Sequence, residues 1–296
     1  MFSSLKELAE KATSSNMKIS DIILETESEE TEIPQEELIS RMERNLLVMR
    51  ESAQIKKMCS ASGLSGENGW NYSNSENKGM LLSSLSSKAM EYAMTIAEHN
   101  ACMGKIVAAP TAGSCGILPG VLLAVAEEKD IPDDKLVMAL FNAAGIGGVI
   151  AERACLSGAE GGCQAECGSA SAMAASAVCE LMGGTPEMCI NAAALTIKSV
   201  LGLVCDPVGG LVEVPCVKRN ASGAMNALTA AELSLCGVWS YIPPDEVIDA
   251  MSEVGRMMSF RLKETALGGL ASTETAKNFT QMREGGCNAQ CRCNKG

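Results

Sequence analysis

The chain has 296 residues and a formal net charge of −12, and 47% of its residues are hydrophobic while only 3% are aromatic. This length is sufficient to bury a large core. The acidic balance argues against nucleic-acid binding, which needs clustered lysine and arginine. Because β-branched and aromatic runs are sparse, while Met (18) and Gly (28) are abundant, we predict an all-α fold, a compact multi-helix domain.

The 14 cysteines raise the question of a secreted disulfide scaffold. The N-terminal run MFSSLKELAEKA lacks an apolar stretch of signal-peptide length, and no segment reaches the roughly 18 uncharged apolar residues of a membrane span. We therefore expect a cytoplasmic protein without membrane contact, whose thiols mostly stay reduced. Five cysteines are interpreted as small buried hydrophobic residues: Cys102, Cys155, Cys179, Cys189 and Cys236.

An N-terminal helical segment is predicted over 1–58. It starts with a short amphipathic helix over 4–11 and continues through an acidic linker over 25–32. Pro34 then suits the first turn of a second helix, which carries apolar residues at steps of three and four. The following residues, 59–79, are rich in Ser, Gly and Asn, which predicts a long loop.

The main helical domain is predicted over 80–275 and begins with a helix over 82–109. This helix carries His99, which is the only histidine of the chain. A lone histidine on a helix is more often a partly buried polar residue than a catalytic base. If a reaction here needs a histidine, a second chain would have to supply it.

The run PTAGSCGILPG over 110–120 places hydroxyls among glycines and prolines. Gly113 permits close approach of the backbone, and Thr111 and Ser114 offer hydroxyls beside backbone N–H groups. That chemistry suits a nest for a carboxylate or a phosphate. A tight turn between helices is an equally good interpretation, and the run is not a P-loop, because no Gly-Lys-Ser/Thr follows.

Further helices rich in small residues are predicted to follow in quick succession, and such helices can approach one another closely. A short strand is considered only over 211–214. The predicted helices span 122–129, 133–156, 169–182, 187–202, 220–235 and 244–261.

Two further runs, GAEGGCQAECG over 158–168 and CDPVGGLVEVPC over 205–216, surround cysteines with glycine, proline and carboxylates. Each is interpreted as a loop between helices. Three cysteines stand out in them, namely Cys163, Cys205 and Cys216. Three thiolates from separate loops suit either an iron–sulfur cluster with one open iron or a zinc site with an open position.

The runs over 110–120, 158–168, 205–216 and KETALGGLAST over 263–273 resemble the alpha chain of bacterial iron–sulfur L-serine dehydratase. The resemblance is dense over 80–273 and looser before it. It implies dehydration and deamination of L-serine to pyruvate and ammonia, a role in amino-acid degradation and gluconeogenesis. The domain over 80–275 would then be catalytic, with glycine-rich interhelical loops carrying the cluster ligands.

The resemblance implies that Cys163, Cys205 and Cys216 bind a [4Fe-4S] cluster, whose open iron acts as a Lewis acid on the serine hydroxyl. Thr111, Gly113 and Ser114 are the candidates for holding the substrate carboxylate. Pyridoxal phosphate is not expected, because the sequence offers no convincing pair of a lysine and a glycine-rich phosphate site.

Several other polar residues lie near the predicted ligands. Roles in supporting those ligands are expected, ahead of proton transfer, for Glu166, Asp206 and Glu213. Cys167 could be a ligand if its loop is helical, but it ranks below the three predicted ligands. Cys115 is expected to be structural. No catalytic base is assigned.

A beta chain is an expected partner, because the resembling enzymes also contain a beta portion, separate or fused. Two alternatives remain open: a zinc-stabilised binding module without catalysis, and the same lyase chemistry on L-threonine or L-cysteine. A polar tail over 276–296 carries Cys287, Cys291 and Cys293. They are interpreted either as spare exposed thiols or as a source of a thiolate for the open iron.

Overall fold

The computed structural model describes residues 2–55, 64 and 68–285. This part of the chain contains thirteen α-helices, three short 3-10 helices and no strand, which confirms the all-α prediction. The 3-10 helices are Val208–Gly210, Phe260–Leu262 and Gly269–Ser272. The α-helices are α1 (Leu5–Ser14), α2 (Ile19–Thr31), α3 (Gln35–Ala53), α4 (Asn68–Ser73), α5 (Ser84–Ala101), α6 (Ile117–Lys129), α7 (Asp133–Arg153), α8 (Gly158–Gly161), α9 (Cys163–Leu181), α10 (Pro186–Lys198), α11 (Cys216–Leu235), α12 (Pro244–Met257) and α13 (Glu274–Gly285).

Helix α9 is the central helix of the fold, and it is buried along nearly its whole length. It packs against α6, α7, α10 and α11. Its inner positions are mostly Ala, Ser and Gly, which lets neighbouring helices approach closely. At one such approach, a Cβ on Gly223 of α11 would lie 2.4 Å from Ile117 Cδ1 of α6.

The N-terminal helices share this core. Leu5 and Leu8 of α1 and Ile22 of α2 are almost completely buried in the same hydrophobic cluster as the later helices. The acidic linker predicted over 25–32 is wrong, because α2 continues through it to Thr31. Glutamate is a good helix former, and Leu24, directly before this stretch, is buried in the same helix.

The loop predicted over 59–79 contains a short helix, α4, and its residues 59–63 and 65–67 lie outside the described residues. Glu98 of α5 holds the start of α4. Its carboxylate accepts hydrogen bonds from the backbone N–H groups of Asn68 at 2.5 Å and Gly69 at 2.9 Å. Burial raises the pKa of Glu98.

Several predicted boundaries move. Helix α5 ends at Ala101, α12 ends at Met257, and α9 and α11 begin at Cys163 and Cys216, well before the predicted starts. The strand considered over 211–214 is not formed, and those residues lie in turns.

Helix α7 is long and apolar enough to cross a membrane by length and composition, but 67% of its apolar window is buried. That burial identifies it as a core helix. The ten cysteines of the described residues are free thiols, and two of the five predicted to be buried, Cys179 and Cys189, are buried. The prediction is wrong for Cys236, which is exposed, and for Cys102 and Cys155, which are partly exposed.

Candidate functional site

Cys163 is the first residue of α9 and is 2% exposed. The residue before it, Gly162, has φ of +77°, a conformation that favours glycine. A Cβ on Gly162 would also lie 3.0 Å from Leu203 O. The Gln164 N–H donates to the same Leu203 carbonyl at 2.9 Å, so the start of α9 is fixed against the segment that leads to Cys205.

Cys205 lies in extended backbone rather than in a helix, and it forms an isolated parallel bridge with Lys263. Its N–H donates to Leu262 O at 2.8 Å, and its carbonyl accepts from Glu264 N at 2.8 Å. Cys216 is the first residue of α11. The three predicted ligands therefore come from three separate elements, two helix starts and one bridge, rather than from three loops.

The three thiols influence one another electrostatically. Burial, and then the charge of Cys163, raises the pKa of the Cys205 thiol above its usual range and that of Cys216 to about 12. The pKa of the Cys163 thiol is lowered, first by a hydrogen bond with Cys167, at 3.3 Å between the sulfurs, and also by the positive charge of Arg219. Ionising several thiols here therefore requires additional positive charge.

This donor set fits an iron–sulfur cluster. The thiols of Cys163, Cys205 and Cys216 are free and buried, and bound iron would supply the missing positive charge. Within residues 2–55, 64 and 68–285, no group of three or more His, Cys, Asp or Glu side chains is arranged to hold a single metal ion. A cluster differs from a single ion in this respect, because each thiolate binds a different iron.

Arg219 lies at this site, although sequence reasoning did not identify it. It lies one turn into α11, and its Nη1 donates to Val204 O at 2.8 Å. Its Nη2 is 2.9 Å from Asp206 Oδ1 in an ion pair, and Asp206 Oδ2 accepts from Leu270 N at 2.7 Å. The sequence could have indicated Arg219 by its position three residues after Cys216, since a cation one helical turn from a buried thiol stabilises the thiolate.

The run over 110–120 adjoins the thiols through Glu166. The Thr111 hydroxyl donates to Glu166 Oε1, and the Thr111 and Ser114 hydroxyl oxygens are 3.0 Å apart. A Cβ on Gly113 would lie 2.5 Å from Glu166 Oε1, so a larger residue there would displace this carboxylate. Burial raises the pKa of Glu166.

Gly158 shows how close this carboxylate comes to the predicted ligands. A Cβ at Gly158 would lie 2.8 Å from Cys205 Sγ and 3.4 Å from Glu166 Oε2. The structure therefore places the hydroxyl run and the thiols side by side. Thr111 and Gly113 are partly exposed, whereas Ser114 is fully buried.

Asn220 is the second residue that the sequence did not reveal. Its amide Nδ2 donates to Gly113 O at 2.8 Å and to Cys216 O at 2.9 Å. Its Oδ1 accepts from Gly116 N at 2.9 Å. One fully buried side chain thus connects the hydroxyl run to a predicted cluster ligand.

The remaining candidates are Cys115, His99 and the three cysteines of the predicted tail. Cys115 is fully buried, with its Sγ 3.9 Å from Ile96 O, which agrees with a structural role. The ring of His99 packs directly over Gly104, where a Cβ would lie 2.0 Å from the ring, and burial lowers its pKa. Cys287, Cys291 and Cys293 lie outside the described residues.

Comparison with known proteins adds to this geometry. The profile of the serine dehydratase alpha chain family matches residues 14–271. The chain is 46% identical over 289 residues to the probable L-serine dehydratase alpha chain of Bacillus subtilis, covering 97% of this chain and 96% of that one. It is 42% identical over 294 residues to the L-serine dehydratase alpha chain of Peptoniphilus asaccharolyticus, covering 96% and 100%. The L-serine dehydratase of Streptomyces coelicolor is 47% identical over 182 residues, which are 61% of this chain and 40% of that relative.

Proposed function

Because this chain belongs to the serine dehydratase alpha chain family and is thereby an L-serine ammonia-lyase, we propose that its buried thiols hold a [4Fe-4S] cluster. Cys163, Cys205 and Cys216 are the proposed ligands. The observation that carries this assignment is that three free, buried thiols from three elements adjoin one partly exposed hydroxyl run. When bound, the cluster would supply an open iron as a Lewis acid for the hydroxyl of serine.

The chain's own residues would position the substrate. Thr111 and Gly113 are the partly exposed members of the run, and we assign them to the binding of the serine carboxylate. The Thr111 hydroxyl donates its hydrogen bond to Glu166 and therefore accepts one from the Ser114 hydroxyl. Ser114 thus holds Thr111 in place. Glu166 thus orients the run and excludes water between it and the thiols.

Arg219 and Asp206 would hold the backbone around Cys205. Arg219 contacts the carbonyl of the residue before Cys205, while Asp206 receives the N–H of Leu270. Together they fix the Cys205 segment on both sides. The guanidinium also contributes positive charge to thiols that would otherwise resist ionisation.

The proposed partners are L-serine and a beta chain. Relatives that match over nearly their full length are named as alpha chains, and a second chain would supply groups that this one lacks. The single histidine, packed over Gly104, is consistent with a base from another subunit. We further propose that the complex works in the cytoplasm, where thiols remain reduced.

Iron analysis after anaerobic purification tests the ligand assignment. Cys163→Ala, Cys205→Ala and Cys216→Ala should each lose most of the bound iron and the brown colour, because each removes one ligand. The matched control is Cys189→Ala, which removes an equally buried thiol outside the group and should retain its iron. A ligand variant with full iron would remove that residue from the set, and a colourless parent protein containing zinc would favour the zinc alternative.

A further inference from the structure

A separate cavity of about 420 Å³ opens between α2, the connection from α6 to α7, α7 itself and the C-terminal end of α9. None of the residues that line it belongs to the thiol site. Its volume falls within the range of small-molecule sites, about 300–1,000 Å³.

The floor of this cavity carries unused polar atoms. Glu180, in the last turn of α9, is 6% exposed, and its Oε2 accepts hydrogen bonds from Ser20 N at 3.2 Å and Asn142 Nδ2 at 2.8 Å. Its Oε1 accepts none from the described residues. The Ser20 hydroxyl, fully buried beside it, also has no hydrogen-bond partner in the described part of the chain. Buried polar atoms of this kind usually have partners.

The mouth of the cavity carries two positively charged lysines beside two aspartates. Lys18, Lys135 and Asp130 line it and are exposed, and Asp21 lines it and is partly exposed. A simple anion would meet the carboxylates of Asp21, Asp130 and Glu180, whereas a simple cation would meet two ammonium groups. A ligand that carries both charges, with its cationic end directed inward, matches this arrangement.

The walls between floor and mouth are apolar. Ile131, Met138 and Leu181 line the cavity along with Pro132 and Ala139. Such a surface favours an aliphatic group on the ligand, because burying apolar area is favourable by about 25 cal/mol per Å².

We propose that this cavity binds the zwitterion of a branched aliphatic amino acid. Its ammonium group contacts Glu180 Oε1 at the floor, and its carboxylate faces Lys18 and Lys135 at the mouth. Its side chain packs against the apolar wall. This assignment does not depend on the cluster or on the lyase reaction.

Ligand binding in this cavity would stabilise the core of the protein. Glu180 joins the start of α2 to Asn142 of α7, and Asn142 Oδ1 accepts from Ser176 Oγ of α9 at 2.7 Å. A ligand on Glu180 therefore adds to a network that connects three helices. Because the ligand binds only the folded chain, it should raise the melting temperature with concentration.

Calorimetric titration of the full chain with L-valine tests the proposal. We expect saturable binding, weakened at least about tenfold by Glu180→Gln and by Lys135→Met, since each removes one charged contact worth about 1.4 kcal/mol or more. Lys129→Met, which removes an exposed lysine outside this cavity, is the matched control and should bind like the parent. Isobutylamine and 3-methylbutanoate, which each lack one charge, should both bind more weakly than L-valine.

The outcomes are decisive in either direction. Absence of saturable L-valine binding overturns the proposal, and so does equal affinity in the parent and Lys135→Met. Because Lys135 is exposed, that variant keeps the test informative even where Glu180→Gln fails to fold. Binding that survives both variants but is lost in Thr111→Val would place the ligand at the serine site and overturn the proposal as well.

Discussion

Asn220 shows how far the site depends on side chains that hold backbone in place. Its amide satisfies two carbonyls and one N–H group, and these belong to Gly113, Cys216 and Gly116. A buried group left without its hydrogen bond costs about 1–3 kcal/mol. The residue therefore fixes the distance between the hydroxyl run and a predicted ligand without needing to contact substrate.

Replacement of Asn220 by Ala should destabilise the fold more than replacement of Asn226, on the same helix. The Asn226 side chain makes one hydrogen bond within the described residues, from Nδ2 to Thr196 O at 3.0 Å, so its loss should cost about 1 kcal/mol. Asn220→Ala removes the partners of Gly113 O and Gly116 N and should cost several-fold more in the free energy of unfolding, measured by urea denaturation. Equal losses in the two variants would contradict the role given to Asn220.

Single residues also show the limit of the sequence. Cysteines in glycine-rich runs are easily recognised in the sequence. The structure brings three of them, Cys163, Cys205 and Cys216, close enough to interact electrostatically. Arg219 and Asn220 occupy ordinary positions in a helix, and their role at the site depends on contacts with other segments. Asn220, for example, bonds Gly113, which is 107 residues away in the sequence. Such contacts follow from tertiary packing, which local patterns do not encode.

At the scale of elements, the crossing of α5 and α6 depends on missing side chains. A Cβ on Gly116 would lie 2.1 Å from Ala93 O, and one on Gly120 would lie 2.8 Å from Ala93 N. Both contacts are with backbone, which cannot move aside as a flexible side chain can. The start of α6 follows directly from the hydroxyl run, so this crossing also positions Thr111.

Gly120→Ala should therefore destabilise the protein by about 1–3 kcal/mol, the usual cost of overpacking. The matched control is Gly147→Ala in α7, where the new Cβ would meet the flexible end of Met173 at 3.0 Å. There the higher helix propensity of alanine, about 1 kcal/mol, should offset the contact. Thermal and urea denaturation of both variants provide the comparison, and a harmless Gly120→Ala would disprove the tight crossing.

A second contact between these helices should respond to alkaline pH. The Tyr92 hydroxyl of α5 donates to Glu127 Oε1 of α6 at 2.7 Å, and burial followed by this bond raises the pKa of Tyr92 well above 10. Above about pH 10 the unfolded tyrosine loses its proton while the folded one keeps it, so stability falls as pH rises.

Tyr92→Phe should therefore show a shallower loss of stability above pH 10 than the parent, in urea denaturation at several alkaline pH values. Tyr241→Phe is the control, because Tyr241 is 96% exposed. The same slope in Tyr92→Phe and in the parent would show that the folded pKa of Tyr92 is not raised.

Helix periodicity predicted the elements better than their ends. The apolar pattern indicated α3, and the helices predicted over 133–156 and 187–202 begin within one residue of α7 and α10 but end three and four residues late. It placed a linker where α2 continues, because the exposed face of a helix can be entirely acidic while Ile22 and Leu24 are buried. It also treated Cys163 and Cys216 as loop residues, although each begins a helix.

At the scale of the whole molecule, the proposed site is assembled from most of the chain. Its parts come from the hydroxyl run over 110–120, the starts of α9 and α11, and the segments around Cys205 and Lys263. The N-terminal helices contribute to the same core. We therefore expect the folded chain to hold the proposed cluster by itself, even where the reaction needs groups from a second chain.

The chain alone should therefore bind iron but form little pyruvate from L-serine, and addition of a beta chain should restore activity. The measurement is an anaerobic assay of pyruvate with each chain alone and with both. Cys216→Ala mixed with the same beta chain is the control and should remain inactive. Full activity from this chain alone would mean that it supplies every catalytic group itself.

Cys205 has one more consequence, which concerns the order in which the protein is synthesised. Its backbone N–H and carbonyl are both bonded to residues near Lys263, namely Leu262 and Glu264. A ribosome that has released Cys163, Cys205 and Cys216 has still to translate those partners, and until they emerge the middle thiol has no fixed place. If these three thiols hold the proposed cluster, we expect its loading to follow the translation of Glu264, because iron delivered earlier would meet an incomplete ligand set.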